Sequence, residues 1–151
     1  MRPATITWEG MVSRAAEAHG LGMTTTDAIP ATDLDAAVEA YLAVWNEDDD
    51  DARTERARRV FTDDARLADP LIDATGPDAI AAAIGALRTQ MPDHGLSRTS
   101  ALDAHHDVVR VSWTVSAPDG TVAVAGLDVL GVDPQGRIRS SLAFFGDLVD
   151  P

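Results

Sequence analysis

One aspartate stands alone in an apolar run: Asp128 is the sole charge in the string VAVAGLDVL at 122–130. If that run is a strand, alternation places Asp128 on one face with Val122, Val124 and Leu130. A carboxylate there is short of water, so burial raises its pKa, and such an acid is neutral, paired or functional. Tyr41 lies among Leu34, Val38, Leu42 and Trp45, apolar residues at helical spacing. A buried tyrosine hydroxyl needs a partner, and Asp128 is a candidate. Asp69 precedes Pro70, which holds it rigid at the end of a short strand. One movable base and two hydrogen-bond donors suit proton abstraction next to a carbonyl. Each residue also has a plainer reading. Aspartate before proline is common in turns, and tyrosine on an amphipathic helix is usually core.

Other groups carry less. His105 and His106 precede the strand VVRVSW at 108–113. Adjacent strand residues point to opposite faces, so the pair makes a poor metal site. His106 is retained as a candidate for the pocket mouth, and no metal is expected. The acidic run at 47–51 lacks the spacing and glycine of a calcium loop and reads as a solvated loop. The chain has no cysteine, and all 12 basic residues are arginine. Disulfides, thiol catalysis, Schiff-base lysine chemistry and a P-loop lysine are thereby excluded. A net charge of −13 disfavours nucleic acid and anionic membranes. No apolar run approaches the roughly 20 residues of a membrane span, and no secretory signal is apparent at the N-terminus. A soluble cytoplasmic protein is the expectation.

The elements that must position these residues follow from pattern. Residues 1–30 read as an N-terminal extension. It holds either a short helix at 11–19 in a loosely packed arm, or extra sequence before a native start at Met23. Residues 31–151 form the domain. Thr32 and Asp35 suggest a capping box opening a helix that stops near Asn46. A second helix runs over 52–61, Asp63 and Asp64 mark a turn, and a strand covers 65–69. Gly76 and Pro77 open a third helix, with Ile80, Ile84 and Leu87 as its buried stripe. Gly85 weakens it by about 1 kcal/mol relative to alanine. Strands follow at 108–115, 121–132 and 138–149, separated by turns at 118–120 and 133–136. Helices first and strands last imply α+β.

With that order in view, the chain resembles the SnoaL-like and ketosteroid-isomerase-like branch of the nuclear-transport-factor-two-like superfamily. The strings YLAVWN at 41–46, FTDDA at 61–65, Asp69 with Pro70, GLD at 126–128 and AFFG at 143–146 carry the resemblance. It implies a cone: a curved mixed or antiparallel sheet with about three helices on its concave face. In ketosteroid isomerases a tyrosine and a neutral acid donate to the substrate oxyanion while an aspartate before a proline moves the proton. By motif these roles fall on Tyr41, Asp128 and Asp69. In SnoaL-like polyketide cyclases the acid–base aspartate would also fall on Asp128. Limonene-epoxide-hydrolase-like relatives use an arginine and an aspartate two residues apart; here the positions hold Arg110 and Ser112, which breaks that pattern.

The resemblance thus implies a cofactor-independent isomerase or cyclase acting on a small or polycyclic carbonyl compound. The alternative is a non-catalytic module that binds small hydrophobic ligands or dimerises. Trp45, Ile84, Leu87, Trp113 and Phe145 are the candidate pocket-lining residues. Leu142 and Phe144 alternate with Ala143 and Phe145, so both faces of the last strand are apolar. One face would cover the pocket and the other would need a partner, in keeping with the homodimer the resemblance implies.

Overall fold

The computed structural model of the chain describes residues 31–149 and 151. The expectations for residues 1–30, and for the Thr32 side chain as a cap, lie outside the described residues. Leu34, Val38, Tyr41 and Leu42 are all buried along helix α1, Ala31–Asn46. Their spacing at three and four residues makes one apolar face, and Trp45 continues it half-buried. Helix α2 is Asp50–Val60 and helix α3 is Pro77–Gln90.

The acidic run does not stay in a loop. Asp49 caps α2, its carboxylate accepting the Ala52 N–H at 2.8 Å, and Asp50 and Asp51 form the first helical turn. Acids there offset the positive end of the helix dipole. Arg53, only 3% exposed, donates to the carbonyls of Glu47 and Asp48 and to Asp50 Oδ1, pinning the α1–α2 connection.

That arginine explains Gly85 in the middle of α3. A Cβ on Gly85 would lie 2.5 Å from Arg53 Nη1. Helix propensity alone favours Gly85→Ala, yet here the substitution is expected to destabilise the protein by about 1–3 kcal/mol through overpacking. Urea denaturation of the two proteins measures it, and a gain in stability would show that Arg53 moves aside freely.

Among the described residues, seven strands form one sheet: β1 Phe61–Ala68, β2 Asp73–Thr75, β3 Gly95–Arg98, β4 Asp103–His105, β5 Val108–Ser116, β6 Val122–Val132 and β7 Ile138–Phe145. Their order is β2-β1-β7-β6-β5-β3, with β4 also paired to β5. The β1–β7 pair is parallel and the others are antiparallel. The helices bury their apolar stripes with Phe61, Leu67, Val109, Val111, Leu130 and Ile138 of the sheet in one core. The architecture is α+β, as the element order implied.

The differences from expectation are local. Asp63 and Asp64 lie inside β1, not in a turn, and an irregularity between Phe61 and Arg66 accommodates them. β7 ends at Phe145, because Gly146 takes a φ of 71°. Val122 lies past an irregularity in the β5–β6 register and is exposed, so it does not share the buried face with Asp128.

Candidate active site

β5, β6 and β7 place the key groups through their register. Asp128 lies opposite Val111 on one side and Ala143 on the other. Gly126 lies opposite Trp113 and Phe145. On the same inward face, two residues along β6, the missing side chain of Gly126 leaves room for the Trp113 indole. An added Cβ would come within 2.5 Å of Trp113 Cζ2. The ring therefore lies across β6, and its Nε1 donates to Asp128 Oδ1 at 2.8 Å.

The other oxygen is held from the helix side. The Tyr41 hydroxyl donates to Asp128 Oδ2 at 2.7 Å and lies 2.9 Å from Ser141 Oγ. A tyrosine has one hydroxyl proton, so with that proton on Asp128 the serine is the donor to Tyr41. Ser141, Tyr41 and Asp128 form a relay of hydrogen bonds that polarise one another. All three are buried, Asp128 at 2% exposure.

Burial is the main force on Asp128 and pushes its pKa up to about 6. The hydrogen bonds from Tyr41 and Trp113 oppose that rise, and the charge of Asp69 adds to it. Burial, and then the charge of Asp128, hold the Tyr41 hydroxyl well above the ordinary tyrosine value. Asp128 is therefore an acceptor at both oxygens and mostly ionised at neutral pH, with a basicity above that of an ordinary carboxylate. This differs from the neutral donor that the isomerase resemblance implied. Tyr41 likewise directs its proton to Asp128 and is not among the residues that line the cavity.

That cavity has a volume of about 80 Å³ and an almost wholly apolar wall. Asp128 and Asp69 both line it, with Trp45, Leu87, Trp113 and Phe145 among the apolar residues. Asp69 Oδ1 accepts the backbone N–H groups of Leu71 and Ile72, each at 2.7 Å, which fixes the carboxylate after β1. Two sequence candidates lie elsewhere. Ile84 is fully buried in the core, one helical turn before Leu87. His106 is exposed with a φ of 53° in the turn between β4 and β5, beside His105 and away from the cavity wall. Arg110 pairs with exposed Asp103, so it takes no part in the cavity. No group of three or more metal-ligating side chains occurs among the described residues.

Sequence reasoning missed the role of Trp113 as a donor to Asp128, and it missed Ser141 entirely. Gly126 was the one available signal, because a glycine within a strand often marks a close approach. Ser141 offered none: a small hydroxyl residue fits either face of a strand.

The three helices among the described residues, laid over an open mixed sheet with polar groups on an otherwise apolar floor, define the nuclear-transport-factor-two-like fold. The chain belongs to the SnoaL-like family, whose domain profile matches residues 38–141. Among solved structures, a SnoaL-like protein from Agrobacterium tumefaciens strain C58, provisionally named an isomerase, is 31% identical. The match covers 77% of this chain and 99% of that one, with a TM-score of 0.73. A protein from Sinorhizobium meliloti, provisionally named a polyketide cyclase, is 21% identical over 77% of this chain and 100% of its own, with a TM-score of 0.59. SalBIII, an epoxide hydrolase/cyclase-like enzyme of pyran ring formation in the polyether salinomycin, is 25% identical over 75% and 90%, with a TM-score of 0.55. No curated protein matches the sequence. No helix among the described residues is long and apolar enough to cross a membrane.

Proposed function

We propose that the protein is a cofactor-independent enzyme that moves a proton on a small carbonyl compound, as an isomerase or a cyclase. One observation carries this reading: a buried carboxylate, held at both oxygens by Trp113 and Tyr41, faces an apolar cavity that it shares with a second aspartate. Each Asp128 oxygen accepts one hydrogen bond and keeps a lone pair, so the group can still take a proton. Asp128 removes a proton from the carbon next to the substrate carbonyl, leaving an enolate. Asp69 is the second carboxylate and relays or returns the proton. Reprotonation at another carbon gives isomerisation, and attack on a second carbonyl gives cyclisation. The apolar wall suits a substrate whose skeleton is apolar apart from the reacting carbonyl.

The test needs no knowledge of the product. Small cyclic ketones in deuterated buffer exchange their α-protons when a base removes them, and proton NMR reads the loss. The wild-type protein is expected to speed exchange. Asp69→Asn keeps the oxygen that accepts from Leu71 and Ile72, so the fold stays intact and exchange continues, while net isomerisation of an enone falls by about 10²-fold or more. No exchange above buffer with any ketone that binds would leave the ligand-binding module as the reading.

A homodimer through the outer face of the sheet belongs to the same proposal. Leu142 and Phe144 are 40% and 61% exposed, and they lie opposite Val129 and Leu127 on β6. A continuous apolar surface of this kind marks an interface. Phe144→Glu is expected to turn a dimer into a folded monomer in sedimentation velocity. A wild-type monomer at micromolar concentration contradicts it.

A further inference from the structure

We infer that Leu71 is a specificity-determining residue at the mouth of the Asp128 cavity, and that the substrate is a ketone with an apolar chain lying across it. This rests on the proton-transfer reading above and names its substrate class. Exposure locates the mouth. Among the residues that line the cavity, Leu71 alone is exposed, at 66%, and the others are buried or half-buried. A side chain that belongs to both the cavity wall and the surface marks where one opens into the other. The other large exposed apolar side chains among the described residues, such as Phe144 and Leu148, do not line the cavity. A lone exposed leucine is ordinary on a protein surface. One on the rim of an apolar cavity is contact area open to whatever enters.

The rim is rigid. Pro70, just before Leu71, has its φ set by its ring, and Ile72, just after it, is buried in the core. Between them the chain closes on itself. The Asp69 N–H donates to the Ile72 carbonyl at 2.8 Å, and Asp69 Oδ1 accepts the N–H groups of Leu71 and Ile72 at 2.7 Å each. The backbone that carries Leu71 is thus held before a ligand arrives, and little order is lost when a chain packs on it. The same turn fixes the Asp69 carboxylate, so the proton relay and the rim are held together.

Depth sets the direction of entry. Asp128 is buried and Asp69 is half-buried beside the rim. The carbonyl has to reach Asp128, so the reacting end enters first and the rest of the molecule trails towards Leu71. No basic side chain lines the cavity, so an anionic chain finds no counter-charge there and is repelled by Asp69. The trailing part is therefore apolar, and the leucine is what it packs against.

The probes are 4-methylcyclohexanone and 4-pentylcyclohexanone, with dissociation constants measured by titration calorimetry at neutral pH. The pentyl ketone is expected to bind the wild-type protein about tenfold tighter or more. Leu71→Ala should remove most of that preference, weakening the pentyl ketone by about fivefold and leaving the methyl ketone unchanged. Leu71→Met keeps the apolar area and should restore it. Leu71→Ala keeps the backbone N–H that Asp69 accepts, and the side chain is mostly exposed, so the urea midpoint stays at the wild-type value. Val122→Ala changes an exposed valine outside the cavity wall and should leave the preference intact. Equal affinities for the two ketones, no binding of either, a preference unchanged in Leu71→Ala, or one lost equally in Val122→Ala would overturn the role of Leu71. A preference that depends on Leu71 without α-proton exchange keeps the rim and removes the proton-transfer reading. Exchange of both ketones without a preference does the reverse.

Discussion

Asp128→Asn is expected to lower kcat/KM by about 10²–10⁴-fold while making the protein more stable at neutral pH. The two effects have one cause. Burial raises the folded-state pKa of Asp128 to about 6 from the ordinary 3.8. At low pH the folded and unfolded chains both hold the proton, and the group costs nothing. As pH rises past the unfolded value, the unfolded chain releases its proton first, so stability falls until the folded pKa is passed. The total loss is about 3 kcal/mol, from a shift of about two units. Asparagine escapes that penalty and keeps the network. Its carbonyl accepts from Trp113, its amide donates to Tyr41, and the Tyr41 proton turns to Ser141. Thermal unfolding between about pH 4 and 7 should therefore be flatter with pH in the variant. A variant that is less stable at neutral pH and equally active would mark Asp128 as a structural hydrogen-bond acceptor only.

Gly126→Ala is the second large effect, and it acts through a neighbour. The new Cβ would lie 2.5 Å from Trp113 Cζ2 and 2.7 Å from both Trp113 Cη2 and the Phe144 carbonyl oxygen. The backbone oxygen cannot move away, so the indole must swing off β6 and release Asp128. Overpacking and a lost bond to a charged acceptor together cost about 3 kcal/mol or more. Without the Trp113 N–H, which holds the carboxylate down, the Asp128 pKa rises above about 6. The acid limb of the activity profile moves to higher pH with it. Trp113→Phe supplies the control, because it removes the N–H without placing a methyl on β6 and should move the limb the same way with less loss of stability. A Gly126→Ala protein with wild-type stability in urea and an unmoved limb would show that Trp113 does not hold Asp128.

Strong local signals carried far in the sequence. The stripe of Leu34, Val38, Tyr41 and Leu42 made α1 readable, and proline with glycine at 118–120 marked the hairpin between β5 and β6. The Tyr41–Asp128 contact was legible for a physical reason: two polar groups on apolar stripes need each other. The direction of that bond was not legible, because which group gives the proton depends on what else reaches each of them. Trp113 supplied the deciding contact, and its reach depends on the β5–β6 register and on the space over Gly126, both tertiary facts. Ile84 and Leu87 share one helical stripe, yet only Leu87 lies along the cavity. Periodicity separates inside from outside but not the packed core from the cavity wall. Arg53 reads as a surface charge until the carbonyls of Glu47 and Asp48 come within its reach.

The most direct measurement is the titration of the Asp128 carboxyl carbon by NMR, assigned through its loss in Asp128→Asn. The midpoint should fall at about 6 in the wild-type protein, and it should rise when Trp113 is replaced by phenylalanine. A midpoint at or below the usual aspartate value would mean a hydrated carboxylate, and a base poised in a dry cavity would no longer describe this protein.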